Sequence, residues 1–468
     1  MPGRCSGCWR GVPVLPERFA AYLAAAGEQI RWRRARPVLL RELRTHLMDQ
    51  RDDCAAAGLD EEAAQAEALR QMGDPVAVGT ELDRVHRPRP QWGLLAFVWL
   101  LALACGLLRV WLTRGVVYGG VRPEPTVLAL LQGTAVFLGA YFLDYTFLGR
   151  HGRALYVAAL AAGLLSLWLS PRVNYASYFT RYVVLFYPVV YAAWVYLWRG
   201  RGVKGLLAAI GGGVPLACIG LLAPYVLGMA VLAVTGLCLL EVAGWRDWFG
   251  AGRRLSMLLP AGVAAVAAGG LFFGGFGAQR FRLLLHPELD PLGAGYQALT
   301  VRSALEGANW LGEGVLEGTF AGYGYWDVIP AGGSDFLLTT LIHALGWLPF
   351  LLLLAAFGAL VAWLLVKALR QQNQLGRMVA VAVVLTLGLQ GLCSVVLNLG
   401  LVLISASFPL LVGNLHTVVT MALIGLALSV FRQERIPEEN PEPHPPVFRR
   451  PRVSWRDGEL VIALGRRE

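Results

Sequence analysis

An aspartate stands at the mouth of a long apolar run. The stretch "DVIPAGGSDFLLTTLIHALGW", residues 327 to 347, turns through two glycines and places Asp335 directly before it. A carboxylate accepts protons, and an ionisable group at a membrane boundary beside a long polar segment marks a functional site by default. The same position suits a helix N-cap, where a side-chain oxygen and the macrodipole both favour an acid, so the two readings stand side by side. His343 follows eight residues later, about two helical turns on and roughly on the same face. A lone helix histidine is more often packed than reactive, and it counts as a secondary candidate. Arg280, Arg282 and Arg302 supply cations upstream, where arginine also commonly meets anionic headgroups. Gln297, Glu306 and Glu313 read as solvated or loop-stabilising groups, and Asp290 before Pro291 as a turn cap. Asn398 lies in an apolar run, where an amide often bonds a neighbouring helix.

Composition says what must position these groups. Hydrophobic residues fill 56% of 468 positions and charged residues 15%, with a mean hydropathy of +0.54. A soluble domain carries about 25% charge. The expected fold is all-α and polytopic, about ten transmembrane helices preceded by a small soluble helical domain. The spans fall near 92–112, 126–148, 154–170, 182–198, 203–221, 223–241, 256–274, 336–366, 378–402 and 414–431. Each is long enough, at 1.5 Å per residue, to cross a core roughly 30 Å thick.

The segments "GRHGR", "WRGRGVK", "GWRDWFGAGRR" and "KALRQQNQLGR" alternate between spans and are rich in Arg or Lys. With the first segment inside, the positive-inside rule puts both termini in the cytoplasm and residues 275–335 outside. That loop, about 60 residues, far exceeds the other connections, and long loops in compact proteins are usually functional. Topology also explains the net charge of +10 without invoking nucleic acid. The first 30 residues show no signal-peptide pattern. Four of seven cysteines, Cys105, Cys218, Cys238 and Cys393, fall within spans as packing residues, so no disulfide framework is implied. Cys5 and Cys8 form a CxxC without two further ligands nearby, and no metal site is assigned.

Residues 1–14 read as a tail and 15–87 as a cytoplasmic helical prefix. Leu39, Leu43 and Leu47 share one helix face, Gly58 stops that helix, Asp60 caps the next, Gly73 ends it, and Asp74 with Pro75 starts a third. Residues 88–432 form the membrane domain. The tail from 433 to 468 is Pro-rich and charged, and is expected to be mostly disordered.

Three segments, "LLHPELDPLGAGYQ", "IPAGGSDFLLTTLIHALGW" and "VVLNLGLVLISASFPLL", resemble in order and spacing stretches of the SEDS family of bacterial cell-wall polymerases, the FtsW/RodA/SpoVE group. The first carries that family's DP-x-G-x-GYQ pattern as Asp290, Pro291, Gly293, Gly295, Tyr296 and Gln297. "GLDEEAAQAEALRQMGDP" resembles the permease-prefix helical domain found ahead of some bacterial membrane proteins. The resemblance implies a multi-pass protein of the bacterial cytoplasmic membrane that polymerises lipid II, or handles another undecaprenyl-linked precursor, in elongation, division or sporulation. It implies a class B penicillin-binding protein as partner, besides membrane lipids.

The family's essential acid maps onto Asp335, as general base. Arg280, Arg282 and Arg302 become candidates to stabilise the leaving pyrophosphate, and Asp290 and Gln297 candidate substrate contacts. Asn398 matches the family's "N-I-G". Whether a divalent cation takes part stays open. The chain also departs from the pattern. "QPSE" is lost within "PRVNYASYFTRYVVLFYPVV", "QPDLG" becomes "APYVLG", the Gly-Gly-Ser after the ninth span becomes "VGNLH", and His343 and Ala344 replace glutamates. These losses keep an alternative in play, a non-catalytic paralogue that binds precursor or scaffolds wall synthesis. A lipid flippase or transporter is the remaining alternative, although no inverted repeat is visible.

Overall fold

The computed structural model describes residues 16–32, 35–87, 90–114, 123–173, 176–273, 282–283, 285–293, 295–329, 332–401, 405–411, 415–433, 452–456 and 459–463. Four helices come first: α1 (Glu17–Gln29), α2 (Arg36–Ala56), α3 (Glu61–Met72) and α4 (Pro75–His86). Asp60 accepts the Ala63 amide at 2.9 Å and Asp74 that of Ala77 at 3.0 Å, so each of these acids caps its helix. Gly58 (φ 94°) and Gly73 (φ 77°) take the left-handed backbone that ends the preceding helices. Leu43 and Leu47 pack with Phe19, Tyr22, Leu23 and Ala68 in one core, and Leu39 with Ile30 and Ala35 in a neighbouring one.

The membrane part follows as α5 (Trp92–Leu112), α6 (Pro123–Phe142), α7 (Thr146–Arg150), α8 (Gly152–Leu169), α9 (Thr180–Val184), α10 (Tyr187–Leu197), α11 (Gly202–Gly211), α12 (Gly213–Leu222), α13 (Val226–Trp245) and α14 (Arg253–Phe273). After the long loop come α15 (Tyr296–Glu306), α16 (Tyr325–Val328), α17 (Leu337–Leu345), α18 (Trp347–Arg370), α19 (Gln374–Asn398) and α20 (Leu415–Arg432). Among the described residues nine helical stretches are long and apolar enough to cross a membrane, with α9 and α10 making one and α11 and α12 another. The helix α14, at the seventh place, has 21 residues, and its side chains are described as far as Gly270. The chain is a polytopic, overwhelmingly helical membrane protein. Large apolar side chains such as Trp168 and Leu258 lie exposed, the reverse of a soluble protein.

Burial sorts the spans. In α20 78% of the hydrophobic window is enclosed and in α8 only 17%, so α20 is central and α8 faces lipid. At Gly425 a Cβ would fall 2.5 Å from the Phe137 carbonyl, and this glycine lets α20 lie directly on α6. The helix α19 packs against α10, α13, α18 and α20.

The eighth span corrects the sequence reading. A continuous helix over 336–366 was expected; instead Gly346 (φ 96°) divides it into the enclosed nine-residue α17 and the 24-residue span α18. The backbone groups freed at that break are satisfied by the loop. Gly312 and Gly314 donate to the carbonyls of Leu345 and His343, at 3.0 and 2.7 Å, while Asn309 and Trp310 accept from Trp347 and Leu348, at 3.0 and 3.1 Å. Only glycine fits here, because a Cβ would stand 2.6 Å from the Trp310 carbonyl.

Two small antiparallel pairs are the strands among the described residues. β1 (Arg172–Val173) pairs β2 (Ala176–Ser177), and in the tail β3 (Arg452–Arg456) pairs β4 (Glu459–Ala463) with Arg452 opposite Ala463. The described residues of the tail are this strand pair. Its alternating "RVSWR" and "ELVIA" have the strand period.

Candidate active site

Asp335 heads α17 but does not cap it, since Phe336 is the N-cap residue and no side chain bonds there. Its half-buried carboxylate turns instead to the segment between α19 and α20. Ser407 Oγ donates to Oδ1 at 2.7 Å, and Ser405 Oγ donates to Oδ2. Burial alternates along this segment, with Ser405 exposed, Ala406 buried, Ser407 half-buried and Phe408 buried. Ala406 packs with Leu227 and Val231 of α13 while the serines on either side reach the acid. Phe408 anchors the segment on Phe357, ring centroids 4.7 Å apart.

Asn398, the last residue of α19, fixes the backbone of this acid. Its Nδ2 donates to the Asp335 carbonyl at 2.9 Å. Its Oδ1 accepts from the Thr339 amide at 2.8 Å and from Thr339 Oγ1 at 2.9 Å. The amide therefore does bond a neighbouring helix, and that helix is the one carrying the acid.

A cation stands on a neighbouring helix. Tyr225 packs on the cluster of Ala406, Leu227 and Val231, and a Cβ at Gly228 would meet both Tyr225 and Val184 of α9, the helix that carries Arg181. Arg181, on α9, lies over the rings of Tyr178 and Tyr182, 4.4 and 4.8 Å from their centroids, and donates to Tyr182 Oη at 2.8 Å. Aromatic faces hold a guanidinium in place without neutralising it. Burial pushes the Tyr225 phenol up from its ordinary pKa, so it stays a neutral hydroxyl.

The long loop roofs α17. Tyr325, Val328, Ile329, Leu316, Val301 and Ala304 pack with Phe336 and Leu397 in one cluster. Tyr325 Oη and Thr340 Oγ1 lie 2.8 Å apart, and the Tyr325 ring stacks on His343 at 4.3 Å. Burial raises the Tyr325 pKa as well. His343 is thereby a packed residue between loop and α17.

The remaining sequence candidates take other places. Arg302 lies on Gly400, in the turn after Asn398, 3.0 Å from where a Cβ would stand, and its charge also reaches Glu288. Asp290 folds over the tight turn at Gly293, and Gln297 is half-buried in the first turn of α15. Arg282 is exposed. Arg280 and the Cys5–Cys8 pair lie outside the described residues. No group of three or more metal-ligating side chains comes together among the described residues.

Sequence reasoning missed Ser405, Ser407, Arg181, Tyr225 and His416. Their signals are visible in retrospect. "SAS" sets two hydroxyls at the strand-like period of two, "FTRYV" holds a lone arginine in an apolar span, and "APY" and "NLH" stand where the family pattern was lost.

Residues 94–436 match the FtsW/RodA/SpoVE family model, described as a cell cycle protein. The peptidoglycan glycosyltransferase MrdB of Escherichia coli K12 is 31% identical over 164 residues, covering 34% of this chain and 42% of that protein. A probable peptidoglycan glycosyltransferase FtsW of Thioalkalivibrio sp. K90mix is 28% identical over 243 residues, 51% of this chain and 57% of its own. The chain thus spans about half the length of these curated relatives. A chain of a solved peptidoglycan synthase complex that coordinates polymerization and crosslinking superposes with a TM-score of 0.56 at 20% identity. That alignment covers 74% of this chain and 98% of the other, and it establishes a shared fold.

Proposed function

The chain belongs to the FtsW/RodA/SpoVE family of cell cycle proteins, and we propose that within it the protein is a peptidoglycan glycosyltransferase that polymerises lipid II. The observation that carries this reading is a carboxylate, Asp335, held on both oxygens by Ser405 and Ser407, together with Arg181 fixed over aromatic rings on α9. Glycosyl transfer needs those two charges. The attacking sugar hydroxyl forms a bond to the anomeric carbon and gives its proton to a carboxylate. The anomeric carbon–oxygen bond breaks as negative charge gathers on the departing undecaprenyl pyrophosphate, and a fixed cation stabilises it. Asp335 is the base and Arg181 the cation. Ser405 and Ser407 hold both carboxylate oxygens, and each oxygen keeps a second lone pair for the substrate hydroxyl. Arg302, Asp290 and Gln297, on the loop side, are proposed to contact the incoming strand, with Arg280 and Arg282 as accessory cations. His343 and Asn398 position the acid through α17.

In this reading the protein lies in a bacterial cytoplasmic membrane with both termini inside and residues 275–335 outside. A class B penicillin-binding protein is the proposed partner, because such a transpeptidase would crosslink the strands this site makes. A second reading, precursor binding without polymerisation, draws on the two serines already engaging Asp335. The purified full-length protein, incubated with lipid II and a candidate partner, separates the two. Glycan strands on a gel support the polymerase; bound lipid II without strands selects the second reading.

A further inference from the structure

His416 is the second residue of α20 and is buried, and its Nε2 has no hydrogen-bond partner among the described residues. Its ring lies 6.4 Å from that of Tyr182, the residue to which Arg181 donates. It therefore stands near a cation held on a different helix. A guanidinium that near opposes a positive charge on the imidazole. An anion seated on Arg181 changes that balance, because it cancels the repulsion and offers an acceptor at the same time.

From this arrangement we propose that His416 is a proton-linked binding residue: when a lipid-borne diphosphate engages Arg181, His416 takes up a proton from solvent and donates a hydrogen bond to the same anion. The proposal rests on the glycosyl-transfer reading for its choice of anion. By linkage, a ligand whose binding takes up a proton binds more tightly as pH falls.

The groups that face His416 are few. On α9 they are Arg181 and Tyr182; Tyr225, beside Val184 of α9, and Cys393 of α19 pack on the Ala406 cluster, whose flanking serines hold Asp335. On α6 the titratable residues are Glu124, in the first turn, and Tyr141, under Arg432 at the other end of α20. On α18 and α19, Lys367, Arg370 and Arg377 lie at that far end too, where Gly376 meets Val430 and Arg377 bonds the Gln371 carbonyl. The proposed proton acceptor at the site is His416, with Asp335 and Glu124 as the alternative hosts.

Calorimetry of full-length protein in phosphatidylcholine nanodiscs tests this. Undecaprenyl pyrophosphate is titrated near pH 7 in two buffers of different ionisation enthalpy, which yields protons taken up per ligand bound. Wild type is expected to take up close to one proton more than His416→Gln, and its affinity to gain up to tenfold per pH unit relative to the variant as pH falls. The variant comparison removes the titration of the diphosphate itself. Asp335→Asn should keep the uptake if His416 is the host; loss in Asp335→Asn with retention in His416→Gln overturns the proposal. If His416→Gln fails to fold, the wild-type measurement still decides, since no uptake beyond that of the diphosphate overturns it. Discs with added phosphatidylglycerol show whether a headgroup phosphate is the anion, in which case uptake precedes the diphosphate and disappears from its titration. Uptake on inorganic pyrophosphate, without binding of the undecaprenyl form, upholds the role of His416 and removes the polymerase reading. Binding of the undecaprenyl form with equal uptake in wild type and variant does the opposite.

Discussion

At the scale of single residues the site is a carboxylate with borrowed supports. Ser405 and Ser407 each give Asp335 a hydrogen bond to a charged acceptor, worth about 1.5–3 kcal/mol. Ser405→Ala or Ser407→Ala is expected to lower the polymerisation rate about tenfold, with the fold intact by circular dichroism; a rate within twofold of wild type contradicts their role. Asn398→Ala takes a hydrogen-bond partner from the part-buried Asp335 carbonyl and from the buried Thr339 amide, at about 1–3 kcal/mol for the amide and less for the carbonyl. It should depress the rate and lower the thermal midpoint further than the serine variants do. The sequence made Asp335 and Asn398 visible, the one as an acid in an apolar setting and the other as an intramembrane amide. It hid their bond, which joins residues 63 apart. Arg181 was hidden by its neighbours, because the segment holding it had lost the polar pattern that would have drawn attention.

At the scale of elements the decisive feature is the break at Gly346. In "FLLTTLIHALGWLPF" only Thr339, Thr340 and His343 are polar and no acid, lysine or arginine interrupts the run, so it reads as one span. The break exists because the loop supplies backbone partners at Asn309, Trp310, Gly312 and Gly314, which no local pattern encodes. Gly346→Ala combines a left-handed backbone with a contact to the Trp310 carbonyl at 2.6 Å. It should cost about 2–3 kcal/mol, read as a lower thermal midpoint in detergent and faster proteolysis of residues 309–314; an unchanged midpoint contradicts the account of the break. Helix stops and caps of local origin, such as Gly58, Asp60 and Asp74, were by contrast legible in the sequence.

At the scale of the whole molecule, composition alone was enough for a helical membrane protein, because burial of apolar surface in lipid demands long uncharged runs. Its orientation rests on the positive-inside rule and gives a direct expectation. In intact cells Trp310→Cys, at a position 72% exposed in the long loop, should react with a membrane-impermeant maleimide, and Arg201→Cys, between α10 and α11, should react after lysis only. The reverse pattern inverts the topology and removes Asp335 from the outer face. The close approach of α6 and α20 at Gly425 sets a second expectation at this scale. Gly425→Leu should separate the helices and lower the thermal midpoint markedly, by way of the Phe137 carbonyl 2.5 Å away.

The central claim is that Asp335 is the base of a glycosyl transfer. Lipid II polymerisation by the purified full-length protein with a candidate class B penicillin-binding protein, wild type against Asp335→Asn, measures it directly. Asparagine keeps the shape and can still meet Ser405 and Ser407 but cannot take the proton, so the rate should fall by about 10²–10⁴ while lipid II still binds. Equal polymerisation by wild type and Asp335→Asn would contradict the assignment.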